Sequence, residues 1–217
     1  MGRTTDAVRI AALCAMALAS CEGPKVLTLP TEPVDRAATC GVVATAAARG
    51  ATADFQASLP IAAQGRVLHY ALLGASPDER YSSGTASEIV KRMGALEPSI
   101  TAGRWQALVP TCKAAFPDAE KTDVSLPADR LDAQLGCSTL AQFVATALEP
   151  AKAHHASELS VYRRLHTRLG DRLGPALRAR TGTSAAAQRA AEDAAMAKIA
   201  RSGSPVAVLD ACGKRFG

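Results

Sequence analysis

Six cysteines and four histidines are the residues of this 217-residue chain best equipped for chemistry, and their spacing decides which chemistry is open to them. Thiolate metal sites want close pairs of the C-x-x-C kind, redox catalysis wants the same pair, and haem attachment wants C-x-x-C-H. None of these patterns occurs among Cys14, Cys21, Cys40, Cys112, Cys137 and Cys212. The last four therefore read as structural, and four cysteines allow three connectivities. His69 and His166 flank apolar residues and read as partly buried structural groups. His154, Glu158 and Tyr162 fall at i, i+4 and i+8, which would set an imidazole, a carboxylate and a phenol on one face of a helix that began early enough. H-x-x-x-E is not the H-E-x-x-H of zinc hydrolases, so no metal site and no cofactor is expected. Nucleophile signatures are missing too: there is no G-x-S-x-G, no S-x-x-K and no Gly-rich phosphate loop. Ser82-Ser83-Gly84-Thr85 reads as a loop and a helix cap.

The strongest charge feature is a row of guanidiniums. Arg164, Arg168 and Arg172 recur every four residues, with Leu165, Leu169 and Leu173 on the adjacent stripe. Such a helix has a cationic rim that can rest on anionic headgroups or phosphorylated sugars, because Arg offers paired donors to phosphate. The plainer alternative is a solvated helix face whose leucines pack in the core.

The elements that must position these residues follow from composition. The chain is 48% apolar and 21% charged with a net charge of +5, which excludes disorder for most of its length. It holds 47 alanines against eight aromatic residues, so its core must be built from closely packed, small-faced helices, and the fold class is all-α. Apolar periodicity predicts helices over 37–48, 60–73, 87–96 and 104–116, then over 138–148, 157–173, 184–200 and 205–215. Gly50, Pro60, Gly74, Gly84, Pro98, Pro150, Gly174-Pro175 and Gly203 supply the expected stops and turns. No alternating run of β-branched and aromatic residues reaches strand length.

The two groups of four helices carry the same punctuation. Cys40 and Cys112 are 72 apart, Cys137 and Cys212 are 75 apart, and residues 107–116 match 207–216 as Ala, two aliphatics, two of any kind, Cys, three of any kind, Phe. This self-similarity predicts an internal duplication, with two tandem disulfide-closed repeats over 40–117 and 137–217. It also selects Cys40 with Cys112 and Cys137 with Cys212 over the other two pairings. Trp105 has no counterpart, since Pro205 stands at the matching position, and it is expected to pack near the first disulfide. Residues 118–136 form an acidic linker, with Asp118, Glu120, Asp123, Asp129 and Asp132 against Lys121 and Arg130. The suggested turn at 125–129 leads into a short helix ending near Cys137.

At the N-terminus, Arg3 and Arg9 precede ten apolar residues, 10–19, and then Ser20 and Cys21. A charged opening, a short apolar run and a small-residue exit make residues 1–20 a secretory signal peptide. Ten residues rise only about 15 Å as a helix, half of what a hydrocarbon core demands. Leu18-Ala19-Ser20-Cys21 resembles the lipobox of bacterial lipoproteins. That resemblance covers this segment alone and implies lipidation of Cys21 as the mature N-terminus. Ala17-Leu18-Ala19 also fits ordinary signal cleavage. Cysteine parity favours the lipoprotein reading, because it leaves four cysteines to pair whereas ordinary cleavage leaves five. In such lipoproteins an aspartate after the cysteine signals retention at the inner membrane. Here Glu22 follows, so the resemblance implies the periplasmic side of the outer membrane. Residues 21–39, with Pro24, Pro30 and Pro33, read as an extended tether.

Charge is unevenly spread: the first repeat carries a net +2, the acidic segment −3 and the second repeat +6. An exported protein meets little nucleic acid, and no aromatic residue interleaves the arginine row to stack bases, so nucleic acid is not an expected partner. The expected partners are the membrane, through the lipid, an anionic lipid or envelope polymer, and another envelope protein. The expected function is a lipid-anchored binding or scaffolding module of the cell envelope. A hydrolase with a site assembled between the repeats, and a periplasmic carrier of small molecules or lipids, are the alternatives.

Overall fold

Helix starts in this chain are written in its caps. The computed structural model describes residues 26–52 and 57–217; the signal segment, Cys21 and the first residues of the tether lie outside the described residues. Helix α1 (Pro33–Gly50) opens with Pro33 in the first turn and Glu32 accepting from the Asp35 amide at 2.7 Å, so residues 33–39, expected as the end of an extended tether, are already helical because proline is at home in a first turn. Helix α2 spans Ile61–Gly74. Helix α3 (Ser83–Thr101) is capped by Ser82, and the short α4 (Val109–Ala115) follows a 3-10 turn over Trp105–Leu108. In the second half α5 (Arg130–Ala147) is capped by Asp129. Then come α6 (Lys152–Thr181), α7 (Ala185–Ala200), capped by Ser184, and α8 (Pro205–Phe216). Among the described residues the fold is all-helical, with eight α-helices and no strand.

In each half the helix that carries the first cysteine is central: α1 packs on α2 and α3, and α5 packs on α6, α7 and α8. Each disulfide ties that helix to the last one of its half, Cys40 to Cys112 and Cys137 to Cys212, with Cα–Cα distances of 5.4 and 5.9 Å. All four cysteines are buried. Trp105 is partly buried against the same core.

The halves meet where α2 packs against α7 and α8, and one apolar cluster runs through both. Small residues set the spacing. A Cβ on Gly65 would stand 2.6 Å from a methyl of Val206, and one on Gly136 would stand 2.8 Å from the Ala195 carbonyl oxygen, so α2–α8 and α5–α7 approach at a distance only glycine permits.

Several helices run past the stops that composition suggests. Pro98 lies inside α3 and Pro175 inside α6. An interior proline costs about 3 kcal/mol, and burying a leucine or isoleucine returns about 2 kcal/mol. Ile100 beyond Pro98, and Leu177 continuing the stripe of Leu165, Leu169 and Leu173 beyond Pro175, are both buried and offset most of that cost. Gly84 sits in the first turn of α3 rather than before it, because Ser82 accepts from the Thr85 amide at 3.2 Å. The segment expected as a helix over 104–116 is instead a 3-10 turn followed by α4, since Pro110 can stand only in the first turn of a helix.

Residues 118–132 stay exposed or half-buried, yet the segment is tied to the second half. The Ser125 amide donates to the Ser202 carbonyl at 3.0 Å, and from Arg130 onward the chain is already α5, with Ala133, Leu135 and Gly136 buried. Asp132 takes both Arg180 and Lys198, so the acidic segment is held by cations of the second half.

Candidate functional site

Helix α6 borders two surface depressions of different chemistry. Its leucine stripe faces the core, and at about 100° per residue its two flanks present different chemistry.

On one flank stand Arg164, Arg168 and Arg172, all exposed. Arg164 and Arg168 line an open groove of about 470 Å³ between α6 and α8, with Lys214 and Asp210 on the facing helix and Val161 and Tyr162 on its wall. Arg172 lies one turn further along and outside that lining. Arg164 donates to its own helix neighbour Ser160 at 3.1 Å, and none of Arg164, Arg168, Arg172 and Lys214 makes an ion pair among the described residues. Several other cations of the second half are paired, Arg163 with Glu149, Arg180 with Asp129 and Asp132, and Lys198 with Asp132, whereas Arg178, Arg189 and Arg215 lie outside the groove lining and also make no ion pair among the described residues. Val161 is 48% exposed, one of the most open large apolar side chains, and adds an apolar contact beside the cations. Burial, with Asp210 and Glu158 nearby, pushes the Tyr162 phenol up to about 12, so it stays neutral and three cations face one carboxylate.

On the other flank, α6 and α5 enclose a cleft of about 530 Å³, closed by Tyr81 and the start of α3 and by Glu192 of α7. Its floor is apolar, made by Leu135, Phe143, Leu173 and Leu177. Ser138 and His166 meet in its wall. Nδ1 of His166 lies 3.0 Å from the Ser138 hydroxyl and 3.1 Å from the Ser138 carbonyl oxygen. A carbonyl only accepts, so that bond assigns the ring proton to Nδ1 and leaves Nε2 as the acceptor. A nitrogen that already carries its proton cannot take one from Ser138. The pair is therefore a positioning contact between α5 and α6, not a nucleophile and its base.

The spacing of His154, Glu158 and Tyr162 does not become a cluster. His155 has non-helical backbone angles of −132° and 26°, which turns His154 off the face that Glu158 occupies. Glu158 is half-buried and accepts from Ser157, which lowers its carboxyl below the usual range, while Tyr162 is buried toward α8. His155 itself is buried, and its Nε2 accepts from the Gln64 amide of α2 at 2.7 Å. Among the described residues no group of three or more His, Cys, Asp or Glu could hold a metal ion, and no described helix is long and apolar enough to cross a membrane. Compared with protein-family models, curated proteins and solved structures, the chain matches none.

Sequence reasoning missed the cleft entirely. Its signal is faint but present: Gly170 and Gly174 lie four apart inside an otherwise helical pattern, on the same face as His166.

Proposed function

We propose that the protein is a lipid-anchored binding module of the bacterial cell envelope, tethered through lipid on Cys21 at the periplasmic side of the outer membrane, which holds phosphate-bearing envelope surfaces in the α6–α8 groove. The observation that supports this reading is the set of unpaired cations: Arg164, Arg168 and Lys214 line one open groove, while neighbouring Arg163, Arg180 and Lys198 are each paired. Guanidiniums left without a carboxylate are free to take phosphate oxygens with paired donors. A tether of Pro-rich chain sets the module within reach of the headgroups. In this reading the two halves descend from one four-helix repeat. The order of cysteine-bearing helices, the closing of each half on itself and the match of 107–116 with 207–216 support that descent.

Flotation of the Cys21→Ser protein, which lacks the acceptor sulfur, with phosphatidylglycerol vesicles tests the groove apart from the lipid. Binding that is absent from phosphatidylcholine vesicles and lost on Arg164→Gln with Arg168→Gln supports the reading. Lipopolysaccharide in place of phosphatidylglycerol separates a phosphorylated sugar from a phospholipid. Equal binding by wild type and double variant overturns the groove. Failure of a palmitate analogue to label the wild-type protein overturns the anchor.

A further inference from the structure

The α5–α6 cleft is built unlike the basic groove, and four features of it point to a ligand. First, Tyr81 is only 7% exposed and lines the cleft, yet its hydroxyl makes no hydrogen bond among the described residues. The ring is buried but the hydroxyl itself is still reached by solvent, because His69 Nδ1 is the one enclosed side-chain polar atom without a partner among the described residues; burial and Asp193 push the Tyr81 pKa up to about 12, so the hydroxyl stays a donor. Secondly, the side chains of Gln142, Thr146 and Glu192 line the same cleft and also make no hydrogen bond among the described residues. Thirdly, the α6 wall is kept open by Gly170 and Gly174. A Cβ at Gly170 would meet nothing within 4 Å, and one at Gly174 would meet only the mobile end of Arg178, at 3.5 Å. Glycine inside a helix is less stable than alanine, and this chain uses alanine freely. Unlike Gly65 and Gly136, these two are not required by a neighbouring helix; what they preserve is room. Fourthly, the volume falls in the range of small-molecule sites, with an apolar floor and convergent polar groups above it.

The lining also selects the ligand class. No Lys or Arg is among the lining residues, and the one guanidinium beside the wall, that of Arg178 at Gly174, is balanced by Glu192, the one acidic group of the lining, so the cleft has no cationic excess to select phosphates or carboxylates, while the hydroxyls along its rim disfavour a bare acyl chain. Groups that donate (Tyr81), accept (Glu192, Nε2 of His166) and do both (Gln142, Thr146) suit a molecule whose every substituent is a hydroxyl. Phe143, held edge-on to Tyr81 with ring centroids 6.5 Å apart, offers an apolar surface for the C–H face of a ring. We infer that the α5–α6 cleft is a binding site for a neutral saccharide of one or two rings, with its hydroxyls on Tyr81, Gln142 and Glu192 and its apolar face against Phe143 and Leu173.

The test is calorimetric titration and saturation-transfer NMR of the full-length protein with glucose, maltose, N-acetylglucosamine and its β1,4-linked dimer. Glucose 6-phosphate and decanoate serve as charged and acyl probes. The inference expects at least one neutral sugar to bind in the millimolar range or tighter, with little dependence on salt. Tyr81→Phe weakens it about fivefold, for the loss of one neutral hydrogen bond. Gly170→Leu with Gly174→Leu fills the cleft, so binding is lost while the melting temperature holds or rises, which separates occlusion from unfolding. Absence of binding by every neutral sugar, preference for glucose 6-phosphate or decanoate, or equal binding by the double leucine variant each overturns it. None of these outcomes bears on the Arg164–Arg168 groove, whose binding is read on vesicles and is salt-sensitive.

Discussion

Nε2 of His69 lies 2.7 Å from the carbonyl oxygen of Ala200, at the end of α7, where the imidazole has no solvent exposure. The carbonyl can only accept, so Nε2 carries the proton, and Nδ1 is left buried without a partner among the described residues. The bond supplies one of the carbonyls that a helix end leaves unsatisfied, and it joins α2 of the first half to α7 of the second.

That bond makes the join between the halves sensitive to acid. Burial pushes the His69 pKa below its ordinary 6.5, outweighing the Ala200 carbonyl and Asp118, which favour the cation; Lys121 adds to the lowering. A histidine that binds its proton more weakly when folded leaves the unfolded state with more protons below that ordinary value. Stability is therefore full well above pH 6.5 and falls as the pH drops through it, by at most about 1.4 kcal/mol per pH unit from this one group. Urea midpoints taken from about pH 8 down to about pH 5 should fall on that slope. His69→Gln should start from a lower midpoint and lose close to one proton's worth of slope; an unchanged slope would place the acid sensitivity elsewhere.

Each disulfide closes more than seventy residues, Cys40 to Cys112 and Cys137 to Cys212. In the chain-entropy model each is worth roughly 4 kcal/mol. For a core rich in alanine, loss of either should bring unfolding within reach of mild denaturant. Replacing Cys137 and Cys212 by Ala should lower the urea midpoint strongly without altering the helical circular dichroism of the folded baseline. A non-reducing peptide map that finds Cys40 linked to Cys137 would contradict the pairing.

The sequence made the helical class and the cysteine pairing legible because both are spelled locally, in alanine content and in a motif repeated around Cys112 and Cys212. Helix ends were read well where a cap or a loop-borne breaker decides them, as at Ser184 and Pro205. They were misread where distant burial decides. Pro98 and Gly174-Pro175 look like stops from their neighbours alone, and only the pockets that receive Ile100 and Leu177 carry the helices past them. The α5–α6 cleft was not legible for the same reason: Tyr81, Gln142 and Glu192 are far apart in the chain, and no local rule brings them together.

Glycines of opposite kinds give a paired prediction. At Gly136 an added methyl meets the Ala195 carbonyl oxygen and the Ile199 side chain at 2.9 Å or less, both in α7. Neither is a flexible side-chain end, so Gly136→Ala should force α5 and α7 apart and cost about 1–3 kcal/mol. At Gly94, on the open face of α3, nothing lies within 4 Å, and Gly94→Ala should gain roughly 0.5–1 kcal/mol from helix propensity alone. Thermal melts of the two variants should therefore move in opposite directions. A gain at both positions would mean that α5 and α7 can separate at Gly136 without cost.

The basic groove predicts a graded response to charge. Each cation near an anionic surface contributes about 1 kcal/mol, so removing Arg164, Arg168 or Lys214 singly should weaken phosphatidylglycerol binding about fivefold. Because the three line one groove without ion pairs of their own, their losses should come close to adding. Asp210 is the carboxylate among them, and Asp210→Asn should tighten binding instead. All of these effects should shrink as salt shortens the screening length from about 10 Å at 0.1 M to about 3 Å at 1 M. Arg180 supplies the contrast, since its guanidinium is held by Asp129 and Asp132: Arg180→Gln should lower the melting temperature yet leave vesicle binding as it was. If Arg180→Gln weakens binding as much as Arg168→Gln does, attraction comes from overall charge and the groove has no special part in it.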